Sequence, residues 1–551
     1  MHQPEYRDLR NGEYHLPWTY LHTIKDYVDM AAHLENNEQA RAVVNFAPIL
    51  LEQIDDYAQQ LDGYLYHGKA LRDPLLSALA DPVLSLEHES RVHIIKSCLR
   101  ANKHRLVDRY EEFKILTDMA KVALRKPVTL NYYSEQFFAD ILVWYHLAWI
   151  GETVRISDHR IKSLIKKSQH FSVQDRQLLI NVISELISGV IGRYKELAIA
   201  GRIELSMTPY AHPIVPLLLD FKSTEQAIPD AELPLSSAYP GGLERSQWHF
   251  DKGLAVFKKY FGFSPNGCWP SEGSISDKSI ELISNEGFKW LASGQTVLKN
   301  SIQKSGSTLD DCIHTVYQYQ DNKIACFFRD DGLSDLIGFK YSDWHGDDAV
   351  ANLINHLETI ANNCQDKPGA IVSIILDGEN AWEYYPENGY HFINALYEKL
   401  TGHEGLKLTT YSEYLQSHED RRQSPEIVAG SWVYGTFSTW IGEKDKNRAW
   451  DMLVEAKKAY DKVISEKILS DDEQIIVDRQ LATCESSDWF WWVGEYNSAD
   501  SVAEFDEQYR LHLSNLYQLM RVQPPEYLAH AFSFGSGDPV KGGAMLPGQH
   551  Q

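Results

Sequence analysis

Two acidic residues stand where the sequence changes character abruptly. The run Ile371-Val-Ser-Ile-Ile-Leu376 is apolar or small throughout, which predicts a strand buried on both faces, and it stops at Asp377-Gly-Glu379. The second acid is Glu272, which ends the short strand-like segment Gly267-Cys-Trp-Pro-Ser-Glu272. Each has an ordinary structural use, Asp377 as a helix cap and Glu272 as an acid at a helix N-terminus. As a pair they are two carboxylates on different strand ends, which is the equipment for breaking a glycosidic bond. A retaining enzyme uses one as nucleophile and the other as acid/base, about 5–5.5 Å apart. Trp382, Tyr384 and Tyr385 follow Asp377, and Trp269 precedes Glu272, supplying flat apolar faces on which sugar rings can stack. Glu379 is the rival for the acid role. Gly378 breaks the strand between the two, which favours Asp377.

Acids at strand ends need a parallel sheet to hold them, because ligands of such folds bind at the carboxyl ends of the strands. Strand candidates lie at residues 41–48, 201–208, 266–270, 288–293, 324–329, 371–377 and 406–410, mostly separated by helical stretches. That alternation is the signature of βα units. Residues 314–320, with Asp321-Asn322 ahead of Ile324, read as a local hairpin. The chain opens Met1-His2-Gln3-Pro4 with no strand before it, and with a first strand counted at that place about seven core strands are expected. Helical periodicity covers residues 17–34 and, from about 50 to 200, a long insertion with amphipathic runs at 93–100, 110–124 and 135–150. Residues 449–521 are helical again, interrupted by Ser487-Asp-Trp-Phe-Trp-Trp-Val-Gly494. That segment reads first as packing of a helical domain and second as a substrate contact. The expected division is a catalytic domain over 1–420 with its insertion, a helical domain over 421–530, and a Gly- and Pro-rich loop or linker stub over 531–551.

The totals bound the function. A chain of 551 residues exceeds one ordinary core, and 43% hydrophobic with 24% charged residues is the balance of a soluble globular protein. Aromatics reach 12%, with 14 Trp and 30 Tyr, which leans toward carbohydrate. A net charge of −24 argues against nucleic acid and anionic membranes as partners and suits a neutral substrate. The six cysteines (Cys98, Cys268, Cys312, Cys326, Cys364, Cys484) form no CxxC pair and read as thiols in a reducing compartment, so a cytoplasmic location is expected. No run of about 18 apolar residues and no signal-peptide pattern is found. Neither a GxSxG elbow nor an HExxH or His-x-Asp metal motif occurs, so serine hydrolysis and zinc hydrolysis are disfavoured. No cofactor is called for, and nothing demands a metal.

Five short regions, in order, resemble glycoside hydrolase family 57, the retaining α-glucan-active enzymes. They are His2-Gln3-Pro4; Gly201-Arg-Ile-Glu-Leu205 running on to Tyr210-Ala-His-Pro213; Gly267-Cys-Trp-Pro-Ser-Glu272; Leu376-Asp-Gly-Glu-Asn380; and Ser431-Trp-Val-Tyr-Gly435 with Thr439-Trp-Ile-Gly442 and Asn447-Arg-Ala-Trp450. The resemblance spans nearly the whole chain. It implies an α/β fold, a distorted, TIM-like (β/α)7 barrel with the helical insertion, followed by a helical domain completing the cleft. It also implies Glu272 as nucleophile and Asp377 as acid/base. The fifth region resembles the amylopullulanase-like and α-amylase-like branch more than the glucanotransferase branch. The expected activity is hydrolysis of α-1,4 and in part α-1,6 bonds of starch, glycogen, pullulan or maltooligosaccharides. A transglycosylase (branching enzyme or 4-α-glucanotransferase) and an inactive glucan-binding protein remain the alternatives.

Further candidates each keep a structural reading beside the functional one. His2 and Gln3 would bind sugar hydroxyls at the site floor or belong to a disordered terminus; Glu204 would accept a hydroxyl or serve as a buried structural acid; His212 is a substrate contact or a satisfied buried histidine. Arg329-Asp330 follows a strand and is either a pair that fixes a catalytic carboxylate or a surface ion pair. Trp269, Trp344, Trp382, Trp432 and Trp440 are stacking candidates, though any one tryptophan is more often core.

Overall fold

Apolar, β-branched and aromatic runs become strands where both faces can be covered. In the computed structural model, which describes residues 1–84, 87–306, 313–319, 324–365 and 369–537, these are β1 (Ala42–Phe46), β2 (Ile203–Met207), β3 (Gly267–Cys268), β4 (Trp290–Gly294), β5 (Tyr317–Gln318), β6 (Ala325–Arg329) and β7 (Arg422–Gln423). They form one sheet in the order β1-β2-β3-β4-β6-β5-β7. β1, β2, β3, β4 and β6 pair parallel, β5 turns back antiparallel on β6, and β7 joins β5 in parallel. Every residue of β2, β4 and β6 is buried, as strands covered on both faces must be. The β5–β6 pair is the expected hairpin, and its turn lies outside the described residues.

The run 371–376 departs from the expectation of a strand buried on both faces. It is extended but touches the sheet at a single bridge, Ser373 beside Arg329, and only Ile371 and Ser373 of it are buried. Residues 406–410 are likewise extended without a ladder. The apolar run has another cause: part of it lines an internal cavity rather than a second sheet face.

Helices supply the cover. The amphipathic runs expected in the insertion appear as His88–Cys98, Glu111–Arg125 and Glu135–Trp149. Val173–Ile199 closes the insertion, started by a capping box in which Ser172 and Asp175 satisfy each other's backbone N–H. After the sheet come Lys444–Ser465, Asp471–Cys484, Ser487–Trp492 and Ala499–Leu519. They are locked together by Phe490 stacked on Trp450 at 4.1 Å. One hydrophobic cluster runs from the insertion into these helices; a second holds Gly346–Asn363 and Tyr390–Thr401 against Trp382 and Tyr385. The architecture is a distorted (β/α)7 barrel with a helical insertion between β1 and β2 and helices at its C-terminal end. Among the described residues no helix is long and apolar enough to cross a membrane.

Glu204 takes the structural one of its two expected uses. Its Oε1 accepts from Trp290 Nε1 (2.7 Å) and Ser412 Oγ (2.6 Å), and its Oε2 from the Ser412 N–H (2.8 Å). The side chain thereby ties β2 to β4 and to the start of helix Tyr411–Ser417. Glu204→Ala strands these donors in a buried setting and should destabilise the fold by about 2–4 kcal/mol. Thermal unfolding reads this as a lowered Tm; an unchanged Tm would contradict it.

Candidate active site

The chain between β3 and the next helix is bent sharply around Glu272. Glu272 sits in the left-handed region (φ 57, ψ 25) and Gly273 follows at φ 60. A side-chain residue in that region is strained and must be held there by its surroundings. A Cβ on Gly273 would come within 2.9 Å of the Trp269 ring, so glycine alone fits at that bend. The holding is done by residues 430–432. Ile275 and Gly430 exchange both backbone hydrogen bonds (2.9 and 3.1 Å), and the Trp432 N–H donates to the Glu272 carbonyl at 3.1 Å. Trp432 then turns its indole Nε1–H onto Glu272 Oε2 at 2.9 Å. Gly294, at the end of β4, makes room: a Cβ there would lie 2.6 Å from Trp432 Cα.

Asp377 lies at the end of the extended run 371–376, and its Oδ2 accepts from Asn380 Nδ2 at 3.1 Å. Its rival Glu379 is buried with its Oε1 occupied by two donors, the Tyr27 hydroxyl and the His2 N–H (2.9 Å). Glu379 therefore pins the N-terminal segment while facing the same cavity.

That cavity, about 740 Å³, brings together most of the residues singled out in the sequence: His2, Gln3, His212, Trp269, Glu272, Asp377, Glu379, Trp382 and Trp432 all line it. Burial, and then the charge of Asp377, push the Glu272 carboxyl up to about 8, against the Trp432 N–H, which favours the ionised form. Burial and the charge of Glu379 raise Asp377 as well, opposed by the Asn380 amide. Two carboxyls kept from water and close enough to feel each other favour holding a proton between them.

His2 carries the floor of the site. Its Nε2 lies 2.8 and 3.0 Å from the two oxygens of Asp488, and its ring stacks on His212 at 3.8 Å and 13°. His212 Nδ1 pairs with Ser487 Oγ at 2.8 Å and stands 4.0 Å from Glu272 Oε1. Burial drives the His212 ring well below its ordinary pKa, so it is neutral. Gln3 is buried, its Oε1 accepting from the Tyr6 hydroxyl at 3.0 Å. His2, His212 and Asp488 are also the one group among the described residues whose ligating atoms, all within 4.8 Å, could hold a metal ion. In the sequence Asp488 belongs to a segment that reads first as packing and second as a substrate contact. Its signal is spacing: on helix Ser487–Trp492, Asp488, Trp491 and Trp492 line the cavity at three- and four-residue intervals while Trp489 and Phe490 turn into the core.

Besides Glu204, four candidates lie elsewhere. Arg329 and Asp330 do not pair, because Arg329 is the last residue of β6 while Asp330 turns its side chain back to cap the turn that follows. Arg329 binds the Ile375 carbonyl (2.9 Å), Asp331 (2.9 Å) and Asp335 (2.8 Å), with its guanidinium 5.2 Å over the Trp432 ring. Asp330 pairs with His314 at 2.9 Å and caps the turn through the Leu333 N–H at 2.9 Å. Arg329 thus buttresses Trp432 and the Asp377 strand from behind. Trp440 is fully buried against Trp491, at 5.6 Å, and Trp344 is half-exposed on Tyr341; neither lines the cavity. Trp269 and Trp432 meet edge to face at 5.2 Å, forming an aromatic wall beside Glu272.

The model of glycosyl hydrolase family 57 matches residues 1–428. A search of the curated proteins finds no match. Among solved structures, a GH57-type branching enzyme from the archaeon Pyrococcus horikoshii is 14% identical, with a TM-score of 0.56 over 96% of this chain and 94% of that one. The α-amylase AmyC from Thermotoga maritima is 12% identical, with a TM-score of 0.56 over 96% of this chain and 93% of its own. A GH57 branching enzyme from Thermococcus kodakaraensis is 14% identical, with a TM-score of 0.54 over 94% and 88%. At such identities these likenesses speak for the fold alone; the family model, which covers most of the chain, carries more, and by it the protein belongs to glycosyl hydrolase family 57.

Proposed function

We propose that the chain is a retaining α-glucan hydrolase acting on α-1,4-glucosidic bonds, with α-1,6 bonds as a second target, in which Glu272 is the nucleophile and Asp377 the acid/base. Family membership makes glycoside hydrolase or transglycosylase the enzyme class. The observation that supports the finer reading is a pair of carboxyls, Glu272 in the bend after β3 and Asp377 at the end of the extended run 371–376, that line one cavity and are both raised in pKa there. Attack needs Glu272 ionised, which the Trp432 N–H favours, and needs the proton on Asp377, from which the leaving oxygen takes it. A Glu272 oxygen bonds to the anomeric carbon as the glycosidic C–O bond breaks and Asp377 protonates the departing oxygen. Asp377, now ionised, takes a proton from water, whose oxygen displaces Glu272 and restores the original configuration. Trp269 and Trp432 offer stacking faces, and His2, Gln3 and Asp488 offer polar groups to the sugar hydroxyls.

A transglycosylase is the second reading. The cavity wall includes Trp269, Trp382, Trp432 and Trp491, a lining that disfavours free water and gives a sugar acceptor surface to stack on. Two of the enzymes that share the fold are branching enzymes and one is an α-amylase.

A product profile on starch, pullulan and maltooligosaccharides separates the readings. Shorter saccharides alone are expected; longer or newly branched chains would replace hydrolysis by transfer, and intact glucan that binds without turnover would remove the enzyme reading. Glu272→Gln should lower kcat by at least about 10³-fold while leaving the fold intact, and azide should rescue Glu272→Ala with formation of a β-glycosyl azide. An unimpaired Glu272→Gln enzyme would take that residue out of the mechanism. Trp432→Phe keeps a ring but deletes the donor that favours ionised Glu272, so the pKa of Glu272 rises further. Activity requires that group deprotonated, so the acidic limb of kcat/KM should move up by about 1 pH unit. A limb that stays in place would show that the indole N–H does not tune Glu272.

A further inference from the structure

Asp377 sits on a lightly built stretch of chain. Between it and helix Tyr390–Thr401 there are only a one-turn helix, Asn380–Glu383, and a tight turn, Pro386–Gly389. Glu387 and Asn388 within that turn lie in the left-handed region (φ 47 and 54), so the backbone there is strained and must be held from outside. The support comes from one helix. Trp18–His22, Thr23–Tyr27 and Val28–Asn36 follow one another without a break, and the middle turn is of the wide π type, a form frequent at functional sites. Three of its side chains reach the stretch after Asp377. Lys25 Nζ donates to Glu383 Oε2 at 3.2 Å, the Tyr27 hydroxyl donates to Glu379 Oε1, and Asp29 Oδ2 accepts from Asn388 Nδ2 at 2.9 Å.

The Lys25 tie differs from the other two because it carries a buried charge. Glu383 is 2% exposed and its Oε1 has no hydrogen-bond partner, so among the described residues Lys25 makes the one hydrogen bond to its carboxylate. Burial raises the Glu383 carboxyl, and the charge of Lys25 opposes that rise. Lys25 is itself 4% exposed, with its ammonium shared with Asp26 Oδ1 at 2.9 Å and lying 5.4 Å over the Trp149 ring. Asp26 is fastened in turn to His22 Nδ1 at 2.6 Å, so the cation has a fixed anchor behind it. Burial works against the Lys25 charge, but Asp26 and Glu383 more than offset it and hold the group above its usual range. On the other side, Glu383 and Asn380 stand three residues apart on the same short helix and are neighbours there. Asn380 Nδ2 is the donor to Asp377 Oδ2 at 3.1 Å. Contacts therefore run from Asp26 through Lys25, Glu383 and Asn380 to Asp377.

We propose that Lys25 is a positioning residue for the acid/base. By pairing with Glu383 it fixes the turn Asn380–Glu383, and with it the Asn380 amide and the direction in which Asp377 presents its proton to the glycosidic oxygen. Neither Lys25 nor Glu383 lines the cavity, so both act through Asn380 and Asp377 rather than on the sugar. The inference rests on the reading of Asp377 as the acid. A misdirected acid slows departure of a leaving group that needs a proton and matters little to one that leaves without it.

The test compares two substrates, a maltooligosaccharide, whose sugar leaving group needs the proton, and α-maltosyl fluoride, whose fluoride needs little help. The quantity read is kcat/KM, which reports the glycosylation step in which Asp377 gives its proton. Lys25→Met removes the tie, and Lys25→Met/Glu383→Gln also removes the buried carboxylate that the single change leaves unpaired. Both variants should lose about 10²-fold on the maltooligosaccharide and less than about threefold on the fluoride. The double variant should melt within a few degrees of the parent. Equal losses on the two substrates, no loss on either, or a double variant that does not fold would overturn the proposal, the last because the pair would then serve stability alone. Asp377→Asn in the same assay shows which claim has failed. A selective loss there beside equal losses in the Lys25 variants removes only the positioning role. Equal losses in Asp377→Asn remove Asp377 as the acid, and the inference with it.

Discussion

Two carboxyl groups held out of water beside each other resist ionising together, and the geometry of this site follows from that constraint. Glu272 is pushed up to about 8 by burial and by Asp377, and Asp377 is raised in turn by burial and Glu379. The hydrogen bonds around them bias where the proton sits rather than remove it. Trp432 donates to Glu272 and Asn380 donates to Asp377, one donor to each acid. The third carboxylate, Glu379, is kept out of the exchange by two donors of its own. Its charge still acts on Asp377, adding to burial in raising that carboxyl.

The fold holds this arrangement from three directions. The barrel supplies Glu272 in the bend after β3 and Asp377 at the end of the extended run 371–376. The N-terminal residues cross the floor, with His2 fastened to Glu379 through its backbone and to Asp488 through its ring. Helix Ser487–Trp492 reaches in from the C-terminal helices, placing Asp488 and Ser487 against the two stacked histidines. The strained backbone at Glu272 depends on residues 430–432, which lie beyond the end of the family match at residue 428. The geometry of the site is therefore an agreement among segments from both ends and the middle.

Much of the site was legible in the sequence because chemistry and local pattern coincide there. Strand-like runs that stop at an acid marked Glu272 and Asp377, and the strands at 42–46, 203–207, 290–294 and 325–329 fell where apolar runs predicted them. What could not be read was direction. Arg329 ends β6 and Asp330 caps the turn that follows, so one faces Trp432 and the other His314, and the expected pair does not form. Glu204 reads as a polar residue near a functional motif, but its face of β2 meets Trp290 and Ser412, over 208 residues of sequence separation in the latter case. Trp432 and Trp440 carry the same residue type eight positions apart, yet one bonds to Glu272 and the other is buried in the core. The run 371–376 was apolar for a reason periodicity does not distinguish, since a cavity wall and a second sheet face demand the same residues.

The mechanism turns on which carboxylate bonds to the sugar. Incubating the enzyme with 5-fluoro-α-D-glucosyl fluoride slows release of a covalent intermediate, and peptide mass spectrometry then locates the attached sugar. The label is expected on Glu272, lost in Glu272→Gln and released again by a sugar acceptor or water. A label on Asp377, on Glu379 or on no residue, from an enzyme that still turns over glucan, would contradict it.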